Sequence, residues 1–151
     1  MNSVDRASGL TLDAIDLTLE AESHAAFIRQ LSRLSAAADK RVDSTKAMTA
    51  FMTRERLGSV VLAEQVALPH ARFEGITQPV VSVVRSTQPV QFEEGSVVLA
   101  VGILVPKNEP QQHLELLRFW ASLIRLEASR QALLSAPTKE HFFRLLKEHQ
   151  C

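Results

Sequence analysis

The sequence predicts an α/β fold, an α/β/α sandwich in which helices cover both faces of a mixed central sheet of about five strands. Two nearly continuous apolar runs, Val80 to Val84 and Val97 to Val105, are typical of central strands buried on both sides. Segments with a helical repeat of apolar residues precede and follow these runs. The connections are too short for every strand pair to be parallel, so we expect a mixed sheet.

The first third of the chain is predicted to form one strand and two helices. Apolar and polar residues alternate from Ile15 to Leu19, which indicates a half-buried strand. Ser23 suits the N-cap of a first helix, and Asp43 or Ser44 suits that of a second helix ending near Gly58. Residues 1–9 are polar, and we expect them to be loose.

The rest of the chain changes from strands back to helices. Short β-type runs lie at 60–62 and 66–68, and breaks are expected at 87–89 and 93–95. A helix is predicted from Gln111, a short one at 130–134, and a last one capped by Thr138. The predicted apolar stripe of the helix from Gln111 is Leu114, Leu117, Ala121 and Ile124, with Leu116, Trp120 and Leu123 beside it.

The composition of the chain limits the classes of function that it can have. The 151 residues are predicted to form a single domain, 1–151, and 17 Lys and Arg balance 17 Asp and Glu, which argues against a nucleic-acid surface. The N-terminus lacks the apolar core of a secretory signal, and no run has membrane-spanning length, so we expect a cytoplasmic protein without membrane insertion. The single Cys151 excludes a disulfide framework. Neither metal-ligand spacing nor a Gly-rich nucleotide loop is present, so no metal and no cofactor are predicted.

The heptad Val66-Ala67-Leu68-Pro69-His70-Ala71-Arg72 is the most informative segment. Proline pushes Leu68 towards extended geometry, so His70 is expected at the mouth of a strand with its imidazole facing solvent. A neutral imidazole is a good nucleophile near neutral pH, and a nearby guanidinium can hold the charge of a phosphoryl group. From this heptad alone, a catalytic histidine and a histidine that merely ends a strand are equally good interpretations.

An ordered set of motifs favours the catalytic interpretation. Arg54-Glu55, Gly58-Ser59 and Val66-Ala67-Leu68-Pro69-His70 are followed by Gln112-His113-Leu114-Glu115-Leu116-Leu117. Together they resemble the fructose, mannitol and nitrogen-regulatory class of enzyme IIA domains of the bacterial phosphotransferase system, from about Leu17 to Leu146. The resemblance implies the α/β/α sandwich and a phosphotransferase component with a phosphohistidine intermediate.

The resemblance also implies roles for particular residues and partners. His70 corresponds to the histidine that the family phosphorylates at Nε2, and His113 to a second histidine that steadies the phosphoryl group. The donor would be a histidine phosphocarrier protein of the HPr or NPr kind, and the recipient a IIB protein or a regulatory target. The nitrogen-regulatory branch is favoured because no IIB domain or membrane segment is fused and Pro-His-Ala-Arg is frequent there. A sugar-specific IIA component is the first alternative.

Three positions are predicted to bind phosphate, with alternatives left open. Arg54 either meets the phosphoryl oxygens or stabilises the end of its helix by an ordinary ion pair. Arg72 could take that role, but its side chain could point to either face of the strand. Ser59 could donate its hydroxyl to the phosphate or serve a cap or turn equally well. We assign no role to His24, His141 and His149.

The chain departs from the family pattern just before the histidine motif. Ala63-Glu64-Gln65 stands where many members have a glycine-flanked turn, and Val60 stands where threonine is frequent. A turn that requires positive φ would be strained without glycine, and Glu64 would add negative charge near the phosphate. These changes motivate a second alternative, a non-catalytic regulator that retains the fold and acts by protein contact.

Overall fold

The computed structural model describes residues 4–108 and 112–149, which form a six-stranded mixed sheet with helices on both faces. The helices are α1 (His24–Ala38), α2 (Ser44–Glu55), α3 (Gln112–Arg125), α4 (Glu127–Ser135) and α5 (Lys139–His149). The strands are β1 (Ile15–Leu19), β2 (Val61–Ala63), β3 (Gln65–Ala67), β4 (His70–Phe73), β5 (Val80–Phe92) and β6 (Gly95–Pro106).

The long antiparallel pair β5–β6 is the centre of the sheet, whose order is β1-β5-β6-β3-β2. β1 runs parallel to β5, and β3 and β4 both run parallel to β6, so the predicted mixed sheet is confirmed. The sixth strand arises because Pro69 divides one extended segment into β3 and β4. Proline has no N–H for the ladder, although its carbonyl still accepts a hydrogen bond from Ile103 N at 2.9 Å.

One predicted break is wrong. β5 continues through residues 87–89 to Phe92, and a shift of register between Arg85 and Val90 accommodates Pro89. A proline is tolerated at such an irregularity because the local ladder is already interrupted there. The predicted break at 93–95 is confirmed to within a residue, since the chain turns between Phe92 and Gly95.

Alternate residues of the central strands pack into two separate hydrophobic cores, one on each face of the sheet. Val83, Val101 and Ile103 pack on the side of α3, α4 and α5, whereas Val84 and Leu104 pack on the side of α1 and α2. This two-sided burial is the physical reason for the nearly continuous apolar runs.

The predicted helix caps are observed. Ser23 Oγ accepts a hydrogen bond from Ala26 N at 3.1 Å, and Thr138 Oγ1 accepts one from His141 N at 3.1 Å. Of the two candidates for α2, Asp43 is the N-cap, since its carboxylate accepts from Lys46 N at 2.9 Å.

The buried face of α3 differs from the predicted one. Leu116, Trp120, Leu123 and Ile124 are buried, whereas Leu114 is 50% exposed. The helix is rotated relative to the expectation because Trp120 seats against the N-terminal segment. The predicted start at Gln111 lies outside the described residues, and so does Cys151.

The N-terminal segment is packed from Asp5 to Leu10, contrary to the expectation that residues 1–9 are loose. The Asp5 carboxylate accepts hydrogen bonds from Ser8 N and Ser8 Oγ, and Trp120 Nε1 donates to the Ser8 carbonyl at 2.8 Å. The hydrogen bonds made by the Trp120 indole and the Asp5 carboxylate hold the segment in place. The polar composition of the segment did not predict these bonds. Met1 to Ser3 lie outside the described residues.

A partly buried arginine fixes α4 against the sheet. The Arg85 guanidinium donates hydrogen bonds to the carbonyl oxygens of Leu133, Leu134 and Ala136 at 2.6–3.1 Å. Burial lowers the pKa of Arg85, but a guanidinium titrates so far above neutrality that it stays charged. Arg85 therefore supplies donors for the carbonyls that the end of a helix leaves unpaired. None of the helices in the described ranges is long and apolar enough to cross a membrane.

Candidate functional site

A cleft of about 620 Å³ lies where β4 begins and β6 ends, between α2 and α3. It brings together four of the five predicted site residues, Arg54, His70, Arg72 and His113. Its remaining lining residues are Ala50, Thr53, Leu57, Ala71, Val105, Leu114 and Leu117.

The backbone just before His70 determines the tautomer of its ring. His70 is the first residue of β4, and its Nδ1 lies 2.8 Å from the carbonyl oxygen of Leu68. Because a carbonyl can only accept, Nδ1 carries a proton, and in the neutral ring the lone pair therefore lies on Nε2. Pro69 stiffens the two-residue link that holds this geometry. The carbonyl partner is one that the sequence did not reveal, and it leaves Nε2 as the ring nitrogen that this bond does not engage.

Arg72 shares the face of the strand that carries His70. Ala71 and Phe73 are buried, whereas His70 is half-buried and Arg72 is exposed. His70 and Arg72 stand beside Ile103 and Val105 of β6, on the side of the sheet that carries α3. The period of two in a strand therefore settles the direction of Arg72. Its guanidinium makes no hydrogen bond or ion pair within the described ranges.

His113 is a buried residue at the start of α3 and is only 4% exposed. Its Nε2 lies 3.2 Å from the carbonyl oxygen of Pro106, so this nitrogen is the donor. Among the residues that the structure describes, Nδ1 has no hydrogen-bond partner. Buried polar atoms in proteins normally have a hydrogen-bond partner, and the backbone N–H groups at a helix start favour anions. The position of this nitrogen therefore suits the binding of a polar ligand.

Arg54 reaches the cleft from the last turn of α2. One guanidinium nitrogen donates to the Gly58 carbonyl at 3.1 Å, which leaves its other N–H groups available. The charged and titratable groups of the described lining are two guanidinium groups and two imidazoles, with no carboxylate among them. The cleft therefore suits an anion.

Ser59 lies outside this cleft. Its Oγ accepts a hydrogen bond from Val61 N at 3.1 Å, the turn role that was the alternative for this serine. It lines a separate small cavity together with Glu55 and Phe92. Its hydroxyl is thus placed with the turn that follows α2.

The turn that lacks glycines is also remote from His70. Gln65 has φ of +68°, so this turn does use the left-handed region, here occupied by a residue with a side chain. Gln65 pairs with Val97 and His70 pairs with Ile103, which puts the turn about 20 Å from His70 along β6. Glu64 does not line the cleft, so the expected negative charge beside the phosphate is wrong.

Sequence reasoning missed the apolar rim of the cleft. Leu57 is 83% exposed and Leu114 is 50% exposed, and both border the site. Leu57 follows the end of α2 without a periodic signal, and Leu114 matched the period of a core position. Large exposed apolar side chains around a reactive group are typical of a surface that docks another protein.

Fold and site together define a class, an α/β/α protein with a half-buried imidazole in a cationic, apolar-rimmed cleft. The family model of the phosphoenolpyruvate-dependent sugar phosphotransferase system, EIIA 2, matches residues 9–149. The chain belongs to this family, as its motifs predicted.

Known relatives agree with this assignment. A nitrogen regulatory protein of Pseudomonas aeruginosa is 32% identical over 126 residues, which are 82% of this chain and 82% of that protein. The crystal structure of the nitrogen regulatory protein IIA-Ntr from Neisseria meningitidis superposes with a TM-score of 0.81 at 28% identity, covering 89% of this chain and 94% of that one.

A sugar-type structure has the same fold. The complex of enzyme IIA mannitol with phosphorylated enzyme IIB mannitol from Escherichia coli contains a chain that superposes with a TM-score of 0.73 at 19% identity. The match covers 92% of this chain and 97% of that chain. At this identity the likeness shows the fold alone.

Proposed function

We propose that this protein is a phosphoryl carrier of the nitrogen-regulatory branch of the phosphotransferase system. It accepts a phosphoryl group on Nε2 of His70 from a histidine phosphocarrier protein of the HPr or NPr kind. It then relays the group or signals by its phosphorylation state. The observation that carries the proposal is the 2.8 Å hydrogen bond from Nδ1 of His70 to the Leu68 carbonyl, which leaves Nε2 unprotonated in an open cationic cleft.

The transfer needs no acid or base on the attacking nitrogen. The lone pair of His70 Nε2 forms the new N–P bond while the N–P bond to the donor histidine breaks, and the donor nitrogen keeps that electron pair. The far nitrogen of each imidazole retains its proton throughout, so atoms and charge balance. The Leu68 carbonyl stabilises the Nδ1–H group, whose positive character grows when Nε2 becomes phosphorylated.

The cations of the cleft stabilise the phosphoryl oxygens in this proposal. Arg72 has no polar partner among the described residues and shares the face of His70, whereas Arg54 donates part of its guanidinium to Gly58. Nδ1 of His113 donates to a phosphoryl oxygen when that ring is doubly protonated, because its Nε2–H is already taken by Pro106. In phosphoryl transfer such positioning and charge stabilisation supply most of the catalysis.

The apolar rim supports docking of a partner protein. Leu57, Leu114 and Leu117 surround the reactive histidine, so a donor or acceptor that covers them also excludes water from the phosphoryl group. The nitrogen-regulatory branch is favoured by the P. aeruginosa and N. meningitidis relatives. Two departures that motivated the contact-regulator alternative lie away from the cleft: Gln65 is about 20 Å from His70 along β6, and Val60 lines the separate small cavity of Ser59.

A phosphotransfer assay tests the proposal. Labelled phosphoenolpyruvate, enzyme I and either a nitrogen-type or a sugar-type carrier are mixed with wild type, His70→Ala, His113→Ala and the remote control His141→Ala. We expect label on wild type and on His141→Ala, none on folded His70→Ala, and a rate about 10- to 150-fold lower for His113→Ala, the value of one charge-assisted hydrogen bond.

The donor comparison also separates the two branches. Faster labelling from the nitrogen-type carrier supports the nitrogen-regulatory assignment, whereas faster labelling from the sugar-type carrier and onward transfer to a IIB protein would assign the sugar branch. Absence of label on folded wild type with both carriers would overturn the carrier function and restore the contact regulator.

A further inference from the structure

We propose that His24 and Glu55 form a clip that positions Arg54 and Leu57 beside His70, so that His24 is a positioning residue for phosphoryl transfer. The inference rests on the proposed carrier function for its kinetic consequence. It assigns a role to a histidine to which the sequence motifs gave none.

The clip is a close contact between three elements. His24 Nε2 lies 2.8 Å from Glu55 Oε2 and 3.0 Å from Glu55 Oε1, which joins the first residue of α1 to the last residue of α2. The two side chains are 25% and 17% exposed, so the pair is partly withdrawn from water. The His24 ring also stands edge-on to Phe92 at the end of β5, with centroids 4.5 Å apart.

The end of α2 has one side in the clip and the other in the cleft. Arg54 and Leu57 line the cleft of His70, whereas Glu55 points to His24 and lines the separate small cavity by Phe92. The side chains of Arg54 and Glu55, which are neighbours in the chain, thus point to opposite sides of the same turn. A contact that holds Glu55 must therefore constrain where Arg54 and Leu57 stand.

The turn that follows α2 is otherwise weakly held. The last α-type hydrogen bond, from Arg56 N to the Met52 carbonyl, is long at 3.4 Å. The following bonds are short-range ones, from Leu57 N to Arg54 O at 3.0 Å and from Gly58 N to Glu55 O at 3.2 Å. The Arg54 guanidinium itself closes on the Gly58 carbonyl. Local bonds shape this turn, but the clip attaches it to the rest of the molecule.

A single partly exposed contact of this kind contributes little to stability, so the importance of the clip lies in geometry. A displacement of about 1 Å of a charge-stabilising group can lower a rate by up to about 100-fold. We expect His24→Ala to reduce the rate of transfer to His70 about tenfold while the protein stays folded. His24→Gln, whose amide can donate to Glu55 from nearly the same position, should restore most of the rate.

A double-mutant cycle separates positioning from a merely structural role. The transfer rate is measured for wild type, His24→Ala, Arg54→Ala and the double variant, with His141→Ala as the matched histidine control. If the clip acts through Arg54, His24→Ala slows wild type but has almost no further effect in the Arg54→Ala background. Fully additive losses, a wild-type rate in His24→Ala, or no rescue by His24→Gln would each overturn the proposal.

Amide hydrogen exchange provides a readout that does not depend on transfer. Exchange at residues 54–58 should be faster in His24→Ala and in Glu55→Gln than in wild type, with α5 unchanged. Glu55→Gln keeps the shape of the side chain and serves if His24→Ala fails to fold. Unchanged exchange at 54–58 in the folded variants overturns the clip, whereas an unlabelled but folded wild type overturns the carrier function alone.

Discussion

The two histidines of the cleft show how a backbone carbonyl sets the chemistry of an imidazole. Leu68 O engages Nδ1 of His70 and Pro106 O engages Nε2 of His113, so the two rings are protonated at different nitrogens. His70 is left with an Nε2 that the bond to Leu68 does not engage, and His113 with a buried Nδ1 that has no partner in the described ranges. Under the proposed function, the same residue type therefore attacks in one place and supports in the other.

Gln65 gives a prediction at the scale of one residue. Its φ of +68° is in the left-handed region, which disfavours a side chain by about 1–2 kcal/mol. Gln65→Gly relieves this cost but adds the flexibility of glycine, about 0.5–1 kcal/mol. We expect a net gain of about 0.5–1 kcal/mol in the free energy of unfolding, measured by urea denaturation.

Ala63 provides the matched control for Gln65, since the two flank Glu64 in the same hairpin. Ala63 has no positive φ, so Ala63→Gly should lose about 0.5–1 kcal/mol. Transfer to His70 should be unaffected by either change because the turn is remote from the cleft. A loss of stability in Gln65→Gly equal to that in Ala63→Gly would contradict the assignment of strain to Gln65.

At the scale of elements, the ends of α2, α3 and α4 are each held by a different polar contact. α2 is joined to α1 by the hydrogen bond between Glu55 and His24, and the start of α3 is joined to the end of β6 by the hydrogen bond from His113 to the Pro106 carbonyl. α4 is held from the sheet by Arg85. The apolar face of a helix determines which side faces the sheet. Polar side chains at the helix ends then determine where the helix lies on it.

The carboxyl end of α1 gives a pH-dependent prediction. Burial raises the pKa of Asp39, but hydrogen bonds from the side chain and backbone of Arg41 outweigh burial and lower that pKa overall. Because the pKa of Asp39 is lower in the folded protein, its carboxylate stabilises the fold at pH values above its unfolded pKa of about 3.9. This contribution is lost as the pH falls through the lower pKa of the folded state.

Arg41→Met should therefore destabilise the protein mainly near neutral pH. Because Arg41 is 47% exposed, we expect about 0.5–1 kcal/mol in the free energy of unfolding at neutral pH. The difference from wild type should shrink at pH values below the folded pKa of Asp39. Urea denaturation along a pH series checks this, with the exposed Arg29→Met as control; a difference that is constant down to acid pH would refute it.

At the scale of the whole molecule, the N-terminal segment closes the helical layer over the sheet. Gly9 has φ of +71°, and a Cβ at this position would lie 2.9 Å from Val81 Cγ2 of β5. The Ser8 carbonyl next to it accepts from Trp120 of α3. The segment is thus packed between the central strand β5 and α3, the helix that begins at Gln112.

Gly9→Ala should be markedly destabilising. The substitution combines the left-handed φ cost of about 1–2 kcal/mol with an overpacking cost of about 1–3 kcal/mol. Gly75→Ala is the matched control, since Gly75 has φ of +97° but nothing within 4 Å of the added Cβ. Equal losses for the two variants in thermal or urea denaturation would show that this packing is not tight.

The sequence by itself determined most of the elements and the candidate nucleophile. Apolar runs without alternation marked β5 and β6 because both faces of those strands are buried, and side-chain caps marked the starts of α1, α2 and α5. The ordered motifs singled out His70 and His113, since they carry chemistry in a local pattern. These features depend on neighbours in the chain, which a sequence displays.

The tertiary structure alone decided how these parts meet. Three features depend on contacts between residues that are distant in sequence. They are the packing of Asp5 to Leu10, the rotation of α3 that exposes Leu114, and the contact of His24 with Glu55. The directions of Arg72 and Ser59 likewise depended on register and on a turn. Such contacts are selected by the shape of the whole core, because burial and hydrogen bonding are satisfied only when all elements are in place.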